Sequence, residues 1–235
     1  MATIRQIKAR EILDARGFPT VEVLVELSDG TISTASNPTG TSKSTYEAFE
    51  MRDNDPKRHM GMGVLLAVDL ITRTIAPQFI GLEATDQKLL DQTLISMDGT
   101  KIKSKLGANT TMPLSMAFSK AGAKSQSMPL FLYLRNFLAK ENVPLKIPTP
   151  AMNMINGGKH AGNDINFQEF LVIPATSQSY SNSLMMGVSV YNSLRSQLKK
   201  GSLTTTVGDE GGFAPSFDNN ADAFDFISQA VSSAA

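Results

Sequence analysis

The sequence predicts an α+β segment followed by an α/β segment. Three observations carry that expectation. "TVEVLVEL" alternates Val21, Val23, Val25 and Leu27 against Glu22 and Glu26, the period-two pattern of a half-buried antiparallel strand. Helical periodicity then replaces it up to residue 140, giving strands followed by helices. Past a connector holding Pro144, Pro148 and Pro150, strand-like and helix-like stretches alternate.

In chain order, Ile4–Ala9 reads as a first strand. "SDG" at 28–30 is a turn that lets "TISTAS" return beside "TVEVLVEL". "GVLLAVDLITRTIAP" puts Val64, Leu65, Val68, Ile71 and Ile75 on one helical stripe that Pro77 stops. "TDQKLLDQTLISM" follows, with Thr85 as its candidate cap. "NTTMPLSMAFSKAGAKS" has Asn109 as cap and Pro113 in its early turns, and "PLFLYLRNFLAK" has Pro129 at its start. These elements define a domain over residues 1–140. In the second domain, 141–235, "AMNMI" and "FQEFLVIPA" read as strands. A helix within Ser179–Lys200 carries Leu184, Val188, Tyr191, Leu194 and Leu198, and a last helix near Ala221–Val231 carries Phe224, Ile227 and Val231. That last stripe has no further strand to cover it. About 90 residues follow the connector where a closed eight-stranded barrel takes ~250, so the chain reads as a fragment of an unfinished α/β layer. A small open sheet capped by this helix is the other reading.

Composition narrows the function classes. Lys+Arg and Asp+Glu both number 22, which removes bulk positive charge as a route to nucleic acid. With no cysteine, disulfides and thiolate metal sites are excluded, and cytosolic residence is compatible with that. "MATIRQIKAR" has neither the apolar core nor the cleavage site of a signal peptide. No apolar run approaches the ~20 residues of a membrane span.

The common catalytic motifs are absent. "GMGVLL" lacks the third glycine of a dinucleotide loop, and there is no P-loop, HExxH or GxSxG. Of the two histidines, His59 in "PKRHMG" reads as a solvated loop residue. His160 in "NMINGGKHAGN" lies among Gly157, Gly158 and Gly162, so it is either an ordinary loop histidine or one placed to meet an anion or pass a proton. Gln168 and Glu169 precede the apolar Leu171–Ile173; a carboxylate there either points to water at an edge or is buried at a cost. "TVGDEGGFAP" poses the same choice for Asp209 and Glu210, which point to opposite sides of an extended backbone. A glutamate in a partly dehydrated pocket suits a general acid. His160, Glu169 and Glu210 thus sit at strand ends or glycine loops, where α/β layers carry sites.

"EILDARGFPTVEV", "YEAFEMRD", "GMGVLLAV", "DGTKIKSKLGAN", "MNMINGGKHAGN", "QEF" and "VGDEGGFAP" occur in the order seen in the enolases. Over essentially its whole length, the chain resembles the N-terminal half of that family. The resemblance implies an α+β N-terminal domain followed by the first part of an α/β (TIM-like) barrel, incomplete, with an antiparallel start. It implies a cytoplasmic glycolytic lyase that reversibly dehydrates 2-phosphoglycerate to phosphoenolpyruvate with Mg²⁺, as a homodimer without nucleic-acid partners.

By motif, Glu210 resembles the proton donor that helps hydroxide leave, Glu169 its partner carboxylate and Gln168 an adjacent substrate contact. His160 resembles the histidine of a loop closing over substrate, and Ser42 the serine reaching a second Mg²⁺. The family's three metal carboxylates, its lysine base and further cationic groups would lie beyond residue 235, so this polypeptide alone is expected not to turn over substrate. A rival reading is an inactive or diverged form acting at the cell surface, for instance on plasminogen; the terminal Ala234-Ala235 lacks the lysine that often serves such binding. Three departures stand out. "TGTSKS" at 39–44 stands where the family usually reads S-G-A-S-T-G, putting Ser44 at a hinge-like glycine and Lys43 near the second-metal site that the resemblance implies. Pro113 replaces a helix glycine, and Phe18 replaces an asparagine.

Overall fold

The computed structural model describes residues 1–40, 44–137, 144–175 and 178–234. It divides into two compact units, Met1–Glu141 and Asn142–Ala235.

In the first unit, strands β1 (Ile4–Leu13), β2 (Pro19–Leu27) and β3 (Ile32–Ser36) form an antiparallel sheet in the order β1-β2-β3. The alternation in β2 has the expected consequence. Val21, Val23, Val25 and Leu27 are all fully buried, while Glu22 and Glu26 on the other face pair with Arg10 and Arg5 of β1. The helices are α1 (Leu65–Leu70), α2 (Gln87–Asp98), α3 (Ala108–Ser125) and α4 (Leu130–Arg135). α3 lies on β2 and β3, and α1 on β1. Ile71, Ile75, Phe79, Leu90, Leu114 and Phe118 complete one core with the sheet.

Several local expectations change. α1 ends at Leu70 and continues as one π-helical turn, Ile71–Ile75, before the turn containing Pro77. Asp86, not Thr85, caps α2, its carboxylate accepting the Leu89 N–H at 3.0 Å. Asn109 lies inside α3, because its amide serves another strand of chain: it accepts from Met51 N and donates to Met51 O, both at 2.9 Å. α3 runs unbroken through buried Pro113. Phe18 lies under the Arg16 guanidinium, 5.5 Å from the ring centre.

Carboxylates in this unit fasten backbone. Asp98 accepts N–H groups of Thr100, Lys105 and Leu106 at 2.7–3.2 Å, together with the Thr100 hydroxyl. Burial pushes its carboxyl pKa up, but these donors outweigh burial and hold it below the ordinary aspartate value. The Arg58 guanidinium holds the Glu11 carboxyl low in the same way. Thr39, at the start of the 39–44 stretch, is fixed by the Arg16 guanidinium on its carbonyl and by Arg52 on its hydroxyl at 2.9 Å.

In the second unit, β4 (Met152–Asn156) and β5 (Glu169–Val172) pair antiparallel, with an irregularity between Asn153 and Ile155. Helices α5 (Tyr180–Lys200) and α6 (Asn220–Ala234) pack on each other, and α5 also lies on β4. The buried face of α5 is Ser183, Gly187, Val190, Leu194 and Leu198; Leu184 and Val188 of the expected stripe are exposed. α6 buries Ala223, Ile227 and Ala230 and leaves Phe224 and Val231 outside. At Gly187 α5 comes close to β4: a Cβ built there would fall 1.9 Å from the Met152 sulfur. The described strands form no closed barrel. No helix among the described residues is long and apolar enough to cross a membrane.

Candidate functional site

The site lies in the second unit, at the end of β4. Beyond α5 the chain returns beside that strand. Phe213 forms a parallel bridge with Ile155, donating to Met154 O and accepting from Asn156 N, both at 2.9 Å. Val207 and Phe213 pair antiparallel, so residues 206–214 fold back as a hairpin. Its tip is tied by Gly211 N to Gly208 O at 3.1 Å and Gly208 N to Gly212 O at 2.8 Å. Asp209 and Glu210 are therefore in a tight turn, not the extended backbone expected from the sequence.

Two glycines make the turn feasible. Gly211 has φ +85, a conformation that side chains with a Cβ resist. At Gly212 the obstacle is space. A Cβ there would come within 2.9 Å of both Asn156 N and Ile155 C, which are backbone atoms held in β4.

This turn brings Glu210 to the strand end. Its Oε2 accepts from Asn156 Nδ2 at 2.7 Å and its Oε1 from Gln168 Nε2 at 3.0 Å. Glu169, the first residue of β5, is the ladder partner of Asn156; directly opposed residues share a sheet face. Gln168, Glu169 and Glu210 are all exposed, so the partly dehydrated pocket expected for Glu210 is not formed by the described residues. Gly157 N to Gln168 O at 2.9 Å and Gly158 N to Ile165 O at 2.8 Å close the neck of the loop between the strands. His160 lies on that loop, in the short 3₁₀ turn Gly158–His160; its side chain lies outside the description. Ser42 lies outside the described residues.

Three supporting residues were not singled out from the sequence. Asn156 is fully buried and meets Glu210, Gln168 and Gly212. Asn163 staples the loop, its Nδ2 donating to Asn156 O and Pro215 O, both at 2.9 Å. Tyr191 of α5 donates its hydroxyl to Gly211 O at 2.9 Å while its ring stacks on Phe213, centroids 4.3 Å apart. Arg195 lies over both rings. For Asn156 a signal existed: a polar residue ending an apolar strand run must spend its hydrogen bonds on something. Tyr191 was legible only as part of an apolar stripe.

The chemistry here is that of a carboxylate held at a strand end by amide donors, with Glu169 paired in the ladder opposite the Asn156 that holds it. The charged groove of the first unit, lined by Asp53, Arg58, Asp69 and Arg73 among others, is different. Most of its charges are paired, Arg58 with Glu11 and Asp53, and Arg73 with Asp69, and the Asp55 carboxylate accepts the Lys57 N–H at 2.9 Å.

The first unit is an α+β layer, and the second pairs two strands with two long helices and carries carboxylates where its strands begin and end. Residues 4–134 match the family model for the enolase N-terminal domain, and residues 144–235 that for the enolase C-terminal TIM barrel domain. The chain belongs to the enolase family and carries domains of an enolase-family lyase.

Proposed function

We propose that the chain contributes the acid side of the reversible dehydration of 2-phosphoglycerate to phosphoenolpyruvate. The reaction removes a weakly acidic proton beside a carboxylate, then expels hydroxide, a poor leaving group that needs a proton. Glu210 supplies that proton. Glu169 is the second carboxylate at the same hydroxyl, Gln168 an adjacent substrate contact, His160 the imidazole of the closing loop, and Ser42 a ligand of a second Mg²⁺. The observation that supports this placement is the grip of Asn156 and Gln168 on the two Glu210 oxygens, which fixes the direction of the side chain. A proton donor must be held within reach of one atom, and orientation is a large part of its effect.

Mg²⁺ enters by family membership. Among the described residues no three His, Asp or Glu side chains gather closely enough to hold a metal ion, so no step assigned to this chain runs through it. Glycolytic setting, cytoplasmic location and a homodimeric state belong to the same proposal.

The test is turnover of 2-phosphoglycerate by the natural gene product that contains residues 1–235, followed by ultraviolet absorbance of the enol product. Mg²⁺-dependent appearance of phosphoenolpyruvate, lost on Glu210→Gln, supports the proposal. No product with Mg²⁺ present removes it.

A further inference from the structure

We propose that Asn156 is a positioning residue for Glu210; the catalytic meaning of that role rests on the reading of Glu210 as proton donor.

The orientation of the Asn156 amide follows from backbone partners alone. Its Oδ1 accepts the Gly212 N–H at 3.0 Å, a group that can only donate. Its Nδ2 donates to the Gln168 carbonyl at 3.3 Å, a group that can only accept. Oxygen and nitrogen cannot be exchanged without losing both bonds, so Nδ2 must face the hairpin tip. Its second hydrogen falls to Glu210 Oε2 at 2.7 Å. Both hydrogens and the oxygen of the amide are then spent.

The backbone of Asn156 is equally fixed. Its N–H donates to Phe213 O and its carbonyl accepts from Asn163 Nδ2, both at 2.9 Å. With no exposed surface, the Asn156 amide cannot turn to water in place of these partners. Glu210 is the opposite, an exposed side chain on a turn with rotamers to spend. Gln168 also holds it but is itself exposed. The buried amide is the rigid part of the clasp, and it ties the direction of Glu210 to the register of β4.

The first measurement is steady-state kinetics of Asn156→Asp in the natural gene product. Aspartate keeps an oxygen for the Gly212 N–H at nearly the same volume, but it offers an acceptor where Nδ2 donated. Glu210 turns away. The expected result is a fall in kcat of about 100-fold, with KM within about threefold of the parent. A kcat within about twofold of the parent, or a loss carried in KM, overturns the role. A second measurement needs no substrate and no change at the buried site. NMR exchange of the Asn156 side-chain protons is compared between the 235-residue polypeptide and its Glu210→Ala variant, which trims an exposed side chain. Exchange about tenfold faster in the variant is expected, and equal rates overturn the pairing. If the gene product does not act on 2-phosphoglycerate, the reaction reading falls and the exchange measurement alone decides the positioning.

Discussion

At the scale of single residues, the Gly212 α-carbon and the Tyr191 hydroxyl offer two separate tests of the hairpin tip. Gly212 has β4 backbone against its α-carbon, so Gly212→Ala forces strand or hairpin to move. The expected cost is about 1–3 kcal/mol in urea unfolding of the 235-residue polypeptide. Gly201→Ala is the control: its added Cβ meets nothing closer than 3.6 Å, and stability is expected to hold or rise. Tyr191→Phe keeps the stack on Phe213 and removes only the bond to Gly211 O; a loss of ~1 kcal/mol in the same assay is expected. The sequence showed the carboxylates because Asp209 and Glu210 stand among glycines. It did not show Asn156 or Tyr191, because an asparagine in a strand and a tyrosine in a helix are read first as an edge residue and a core residue. What distinguishes them is partners 54 and 20 residues away along the chain, and a local pattern, even where it flags a buried polar residue, does not say which partner it meets.

At the scale of elements, existence and order were legible, and faces were less so. β2 was read correctly because period-two alternation assigns each residue to one side. α5 was read by its large apolar residues, yet its buried face is built from Ser183, Gly187, Val190, Leu194 and Leu198. Ser183 and Gly187 lie on that face, Gly187 close against Met152 of β4, and hydrophobic periodicity does not count such residues. Leu194→Ala is therefore expected to cost about 2–5 kcal/mol in the 235-residue polypeptide, while Leu184→Ala, at a half-exposed position, costs far less; equal losses would restore the sequence-based stripe. The loop after α2 gives a pH prediction. The Asp98 carboxyl pKa is depressed in the folded state, so its stabilisation is present above the unfolded pKa of ~3.9 and is lost as pH falls through the lower folded value. Asp98→Asn should lower stability at neutral pH and flatten its decline in acid, read as denaturation midpoints across pH; an unchanged acid slope would show that other carboxylates govern it.

At the scale of the whole molecule, the α+β and α/β segments and the enolase family were legible in the sequence, through motifs spread over most of the chain. The hairpin geometry was not, because a parallel bridge between Ile155 and Phe213 joins residues separated by an entire helix. Glu210 as proton donor is the point on which the functional account turns, and it separates two halves of one reaction. With Glu210→Gln in the natural gene product, proton removal from 2-phosphoglycerate can still occur, but hydroxide has no acid to leave with. In deuterated water the account predicts that dehydration falls by roughly 10²–10⁴-fold while deuterium still enters at the carbon beside the carboxylate. Dehydration at the parent rate, or deuterium entry and dehydration lost in equal proportion, would contradict it.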